Sequence, residues 1–421
     1  MKHTFRLPVS LLTGTAALLF SSTLFAQTLA TGDSRDVTHA PHYPAVCQVL
    51  YAQLSSADRT TPAGDDTNRL QDALNACAGT GQSVVLMPTT TSDAFYSGAL
   101  TVNGEGLVVA SGVTLFGNNY GTSQFISVKG DDASIMGPGT IDGRADLPHS
   151  GTPRLINAKG SSSADMQNFV VYDVTLKNAG KMHLYIERAT GVTVWGLTVL
   201  TPANTKNTDG VDLDSVIDAT VTHSSINDGD DGIVVKTNSH VAENITVSHN
   251  VLYGTHGLSI GNETMYGVYN VLWEHNIVYG TDQFGIVSSD NNGIRIKTSP
   301  VCGGPVDTVT YLDTQLIGVK HLLYFATDYN CSAGNNATIP EYTNILVDNL
   351  TATDSQSGAY SEFEGYDADH ILQLYLAKVD LDATNQQKTQ YVNVGLDHSN
   401  IVPTGTSDVT TFYFTAPPPV P

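Results

Sequence analysis

The feature that most constrains this chain is a recurring short segment. Val113–Phe116, Phe169–Tyr172, Val192–Trp195, Ala219–Thr222, Asn244–Val247, Tyr269–Leu272 and Asn344–Val347 each combine β-branched, aliphatic or aromatic residues. Gly, Asn, Asp or Ser separates them, and no helical pattern lies between. Successive units recur roughly every 20 to 30 residues, the period of a coiled solenoid. A single coil cannot bury its own apolar face, so coils must stack. The pattern predicts an all-β fold, a right-handed parallel β-helix. A sandwich would need hairpin turn signals and a propeller a fixed blade motif, and neither is found.

A stack of strands leaves an open apolar end that invites association. One segment has the character of a cover. Asp65-Asp66-Thr67 supplies an N-terminal cap, and Leu70, Ala73, Leu74 and Cys77 share one helical face before Gly79 and Gly81 end the run. The spacing predicts a capping α-helix over about 66–77. Residues 27–59 show no periodicity and are read as a leader, with the β-helix over 60–410. Residues 411–421, ending Pro-Pro-Pro-Val-Pro, are read as a tail.

The first 26 residues have the composition of an export signal. Lys2 and Arg6 precede a mostly apolar run from Leu11 to Phe25, and Ala26 marks a cleavage point. That run is short of the about 20 residues a membrane span needs. An exported chain with Cys47, Cys77, Cys302 and Cys331 is expected to form two disulfides. Three pairings are possible, and separation along the chain favours Cys47–Cys77 and Cys302–Cys331. No Cys-x-x-Cys pair suggests zinc or redox chemistry, and no cofactor or metal is expected.

With 19 basic and 41 acidic residues the chain is strongly anionic, and loss of Lys2 and Arg6 takes it to 17 minus 41, or −24. That argues against nucleic acid or an anionic membrane as partner.

Four segments carry chemistry: Asn207-Thr208-Asp209-Gly210, Gly229-Asp230-Asp231-Gly232, His256-Gly257 and Arg295-Ile296-Lys297. Asp209 and Asp230 are 21 residues apart, and Asp230 and His256 are 26 apart, each suited to one coil. Arg295 follows His256 by 39, one coil only with an inserted rim loop that holds Asp290-Asn291-Asn292. Neighbours on a strand face opposite sides, so Asp230 and Asp231 share a cleft only if the chain bends at Gly229 and Gly232. Crowding then raises the pKa of one carboxyl, making it a candidate general acid. An acid beside ionised carboxylates is the equipment for breaking a glycosidic bond. Arg295 and Lys297 alternate with Ile294 and Ile296, so both cations share the outward face and can receive a sugar carboxylate. In isolation each of these segments is more ordinary: a turn, or a solvated strand face.

In this order the segments resemble the polygalacturonases, glycoside hydrolase family 28. The resemblance rests on NTDGVD at 207–212, GDDGIVVK at 229–236, THGLSIGNE at 255–263 and IRIKT at 294–298. DDTNRLQDALNAC at 65–77, IMGPGTIDG at 135–143 and TLKNAGKMHLYI at 175–186 extend it over roughly 60 to 350. It implies hydrolysis of α-1,4-linked galacturonic acid with inversion and no metal. Asp230 would protonate the leaving oxygen, and Asp209 and Asp231 would activate water. His256 would support the acid, Arg295 and Lys297 would hold the substrate carboxylate, and Asn207 would line the cleft. Thr255 departs from the family's Gly and is expected to add bulk beside the cleft; Asn262 stands where the family has Ser.

The resemblance leads us to expect a secreted, monomeric polygalacturonase acting on polygalacturonate or pectin, endo rather than exo because no blocking insertion is visible. Rhamnogalacturonan or xylogalacturonan hydrolysis, a calcium-binding pectate-lyase-like β-helix, and a non-catalytic sugar-binding solenoid are the rival readings. Asn244, Asn262, Asn336 and Asn349 begin glycosylation sequons.

Overall fold

The computed structural model describes residues 29–118, 121, 124–148, 151–331, 338–405 and 408–414. The export-signal reading, the Pro-rich end from 415 onwards and the sequon at Asn336 lie outside the described residues. The chain forms a right-handed parallel β-helix: nearly every strand pairs in parallel with the one a coil later. Val211 pairs with Ile233, Ile233 with Leu258, Leu258 with Ile294 and Ile294 with Leu323. These five side chains stack inside the solenoid, all fully buried. Alternation does the sorting, sending each apolar residue inward and the next residue outward.

The corners need tight reversals. His223, His249, His275 and Asp313 occupy the same bend in successive coils, with φ between 49° and 57°. Asp, Asn and His tolerate this left-handed region better than other residues with a Cβ, which is why such residues separate the strand segments. Beneath the bend, Asn250 and Asn276 are buried, and each side-chain oxygen accepts from the backbone N–H one coil earlier, at Ser224 and Asn250. Buried polar groups there are paired rather than orphaned.

The capping helix spans Thr67–Cys77, with Leu70, Ala73, Leu74 and Cys77 buried on its expected face. Asp65 Oδ1 accepts from Thr67 N at 2.9 Å, while the Asp66 side chain binds Tyr96 N at 3.1 Å. Disulfides join Cys47 to Cys77 and Cys302 to Cys331, the two pairings favoured by separation.

Two boundaries move. Val46–Tyr51 is a strand paired in parallel with Ser83–Met87, so the solenoid begins inside the segment read as a leader. Residues before it run along the outside of several coils, with Thr31 N on Asn270 Oδ1, Asp33 N on Thr246 Oγ1 and Arg35 on Thr193. Those bonds lack any sequence periodicity because each partner lies on a different coil. At the other end, Val409–Tyr413 adds a strand beyond residue 410. Among the described residues no helix is long and apolar enough to cross a membrane.

Candidate active site

The strands Val211–Thr222, Ile233–Thr237, Leu258–Thr264 and Asn292–Lys297 lie side by side; the loops entering the first three carry Asn207, Asp209, Asp230, Asp231 and His256, and the fourth strand itself carries Arg295 and Lys297. Extending the register two residues back aligns Asp209 with Asp231 and His256. Asp230 sits one position earlier, where His256 N donates to its carbonyl at 2.6 Å. Spacing therefore brought the right coils together but paired Asp209 with the wrong member of the Asp-Asp doublet. The bend at Gly229 and Gly232 does let both aspartates face one place: Asp230, Asp231 and His256 present ligand atoms within 4.8 Å of one another. Gly257, at φ 86°, allows the next turn to press close, since a Cβ there would strike the carbonyl oxygens of Asn292 and Gly293.

Exposure separates the three aspartates. The Asp230 side chain is 24% exposed, Asp231 only 3%. Asp209 is buried too, at 4%. Asp230 Oδ1 meets His256 Nδ1 at 3.0 Å. Asp231 accepts from Ser259 Oγ at 2.7 Å and from Lys297 Nζ at 2.8 Å, with Arg295 Nη1 at 3.6 Å. Asp209 Oδ2 lies 3.2 Å from Lys236 Nζ, which also contacts Asp212 at 2.5 Å.

These contacts assign protons. Burial pushes Asp209 upward, Lys236 opposes it, and the charges of Asp230 and Asp231 add to the rise. Burial is the strongest single influence on Asp230 and acts to raise it, as does Asp231, but the hydrogen bond with His256 and the charges of His256 and Lys297 together leave Asp230 low. Asp231 lies far lower still: burial is overcome by Lys297 and Arg295. One of the three carboxyls is thus raised, and it is Asp209, through burial first and its carboxylate neighbours second. Asp212 rises well above the carboxylate range through burial and the adjacent Asp209. Asp228, fully buried, rises for the same first reason, and its Oδ1 holds Asp230 N at 2.9 Å.

Arg295 and Lys297 share a face as expected, yet neither projects into solvent: their side chains are 3% and 6% exposed. Both are buried over the ring of Tyr329, at 5.1 Å each. Lys297 is committed to Asp231, whereas Arg295 keeps Nε and Nη1 buried without a hydrogen-bond acceptor. Asn207 is exposed and, with Ala203, Lys206, Asp230, His256, Val287 and Asp290, lines a hollow of about 450 Å³. Thr255 is a correction: it is buried beneath the cleft rather than beside it, and its Oγ1 accepts from Gly257 N at 3.0 Å, bracing the turn that presents His256.

Sequence reasoning passed over Lys236, Asp212, His183 and Asp290. The alternation that singled out Arg295 and Lys297 also sends Lys236 and Asp212 outward, so those two were legible. His183 was not. It is fully buried, pushed down to about 4 by burial, and its Nδ1 lies 3.1 Å and 3.2 Å from the carbonyls of Thr208 and Asp209. A neutral imidazole donating there steadies the Asp209 loop from beneath.

The cluster offers a half-buried acid–imidazole pair, four buried carboxyls and three buried cations. It suits proton transfer at an anionic sugar. A divalent ion between Asp230, Asp231 and His256 would compete with Lys297 and Arg295, which already neutralise Asp231, and hard cations prefer oxygen-only shells.

Comparisons with known proteins show the family and the fold. Residues 77–400 match the family described as Glycosyl hydrolases family 28. An endo-polygalacturonase of Pectobacterium carotovorum subsp. carotovorum is 31% identical over 89% of this chain and 95% of its own. A polygalacturonase of Ralstonia solanacearum is 29% identical over 74% of this chain and 72% of its own. Among solved structures, the polygalacturonase from Erwinia carotovora ssp. carotovora superposes with a TM-score of 0.74 at 28% identity, over 86% of this chain and 99% of that one. An exopolygalacturonase from Thermotoga maritima, at 16% identity and TM-score 0.65 over 86% and 94%, shares the fold.

Proposed function

The chain belongs to glycosyl hydrolases family 28, and from that premise we propose that it is a secreted endo-polygalacturonase that hydrolyses unsubstituted galacturonan with inversion. The observation that carries the substrate assignment is Arg295. Its buried guanidinium has two nitrogens without acceptors, at a site already crowded with carboxylates. Unfilled donors on a buried cation are costly, and a galacturonate carboxylate beside the guanidinium supplies a charge-assisted acceptor.

Asp230 is the general acid. It is the most exposed of the three aspartates and touches His256. In the empty cleft it stays ionised, but a bound galacturonate brings negative charge and displaces water, and both act to raise it. Asp209 and Asp231 activate the attacking water as a pair, with Lys236 and Lys297 balancing their charges. His256 orients the acid, Lys297 joins Arg295 in holding the substrate carboxylate, and Asn207 lines the cleft. Asp230 and Asp231 approach within 4.8 Å, closer than the roughly 6.5–9.5 Å of most inverting sites. A base shared with Asp209 leaves room for water on the side away from Asp230. The two disulfides suit an oxidising compartment. The relatives named endo-acting support internal cleavage, and a single chain supplies the whole site.

Early digestion of long polygalacturonate tests the proposal. Mixed short oligomers whose new reducing end is first seen by NMR as the β-anomer are expected. Monomer alone would overturn endo action, and an α-anomer would overturn inversion.

A further inference from the structure

The galacturonan reading assigns no role to Asp290, the carboxylate that stands in front of Arg295. Its loop is built rather than slack. Thr281 and Val287 form an antiparallel bridge. Asp282 ties that hairpin down, accepting from Ala203 N at 2.9 Å and from Phe284 and Ile286 N at 2.8 Å and 2.7 Å. The loop delivers Asp290 to the cleft mouth, where its side chain is 41% exposed. One oxygen lies 3.2 Å from His321 Nδ1; the other lies 3.6 Å from Arg295 Nη2 and 3.9 Å from His256 Nδ1. At 3.6 Å Asp290 offsets the charge of Arg295 without filling its hydrogen bonds.

We propose that Asp290 competes with the substrate's carboxylate for Arg295 and so sets the balance between free-acid and methyl-esterified galacturonate at this subsite. Two carboxylates cannot share one guanidinium without mutual repulsion. An incoming free acid must therefore displace or crowd Asp290 before it can use the free donors of Arg295. A methyl ester carries no charge, gains less from Arg295 and meets no such repulsion. Asp290 remains ionised throughout: burial acts to raise it, and the hydrogen bond from His321 together with Arg295 and His256 overcomes that. The residue thus narrows the advantage that Arg295 gives to the acid form.

This inference rests on the galacturonan reading, and its test separates the two. Wild type and Asp290→Asn are compared on polygalacturonate and on highly methyl-esterified pectin at fixed pH and ionic strength. In Asp290→Asn, kcat/KM on polygalacturonate rises roughly two- to fivefold, the range for a half-exposed charge pair, chiefly through a lower KM, with little change on the ester. Asp290→Glu keeps the charge and keeps the wild-type preference. An acid-over-ester preference that stays level or falls in folded Asp290→Asn overturns the proposal, and Asp290→Ala is read by the same criterion if the Asn variant does not fold. Wild type inactive on polygalacturonate would instead sink the functional reading itself.

Discussion

Replacing Lys236 by Met tests how the buried charges of the cleft are held. Lys236 is 8% exposed and contacts both Asp209 and Asp212, themselves 4% and 0% exposed. Met retains the side chain's length and removes the only cation that contacts these two carboxylates among the described residues. Leaving one half of a buried ion pair unmatched costs about 3–5 kcal/mol. The chain can lessen that cost by protonating Asp209 or Asp212, both of which already lie above the usual carboxylate range. A carboxyl raised in the folded state binds more protons there than in the unfolded chain, so its contribution to stability falls as pH rises above the unfolded value near 3.9. Without Lys236 the folded values climb further and the decline continues to higher pH. Urea unfolding at pH 4 and pH 7 is the assay. The expected loss is about 3–5 kcal/mol at pH 7 and clearly smaller at pH 4. A loss of equal size at both pH values would show that Lys236 serves only packing, and the charge argument would be wrong. The same variant keeps Asp209 protonated to higher pH, so the acidic limb of kcat/KM moves upward.

Asp230→Asn removes the proposed acid without changing side-chain size; kcat on polygalacturonate drops by about 10²–10⁴ with an unchanged circular dichroism spectrum, and full activity in a folded variant contradicts the assignment. His256→Gln removes the contact that holds Asp230 low, so the alkaline limb of kcat/KM, set by the acid, shifts to higher pH. A limb that stays in place or moves down refutes that coupling. Exhaustive chelation leaves activity intact and products saturated; loss of activity restored by calcium, with ultraviolet-absorbing products, favours the lyase reading. Leu74→Ala, in the fully buried face of the capping helix, costs about 2–5 kcal/mol in thermal or urea unfolding and promotes association through the uncovered end.

The fold was legible because a solenoid repeats its own evidence. Each coil applies the same alternation, so Ile233, Leu258 and Ile294 announce the interior even though no single segment is decisive. The capping helix was legible for the opposite reason: one strong 3.6-residue period stands among strands. The leader strand Val46–Tyr51 was missed because its burial is partial and gives no clear alternation. At the site, spacing could count coils but not residues within the turn, so Asp209 was set against Asp230 when register aligns it with Asp231. Burial was the larger gap. Alternation places Arg295 and Lys297 on the outward face, but only neighbouring loops decide whether outward means solvent or the floor of a cleft. Thr255 shows the same limit, with its hydroxyl bracing the turn from beneath instead of adding bulk beside the cleft as expected.

That difference between outward and exposed resolves how a chain with 41 acidic and 19 basic residues takes up an acidic polymer. The cations are placed where catalysis needs them rather than spread over the surface. Lys236, Arg295 and Lys297 are buried, each within 4 Å of a carboxylate. Each cation is thus matched by a carboxylate at contact range, and attraction at long range is not the site's means of capture. Two of the cations are spent on Asp209, Asp212 and Asp231: Lys297 helps hold Asp231 low, and Lys236 opposes the rise that burial forces on Asp209. Arg295 alone retains unfilled donors. A substrate carboxylate that docks there completes the hydrogen bonding of Arg295. It also adds a negative charge beside Asp230, the one aspartate not tied to a buried lysine or arginine by a direct contact. The group whose proton is needed is thus the group whose affinity for protons the substrate can change. On the proposed function, docking and acid activation become one event, which would give the acidic sugar a part in its own cleavage that a neutral sugar could not take.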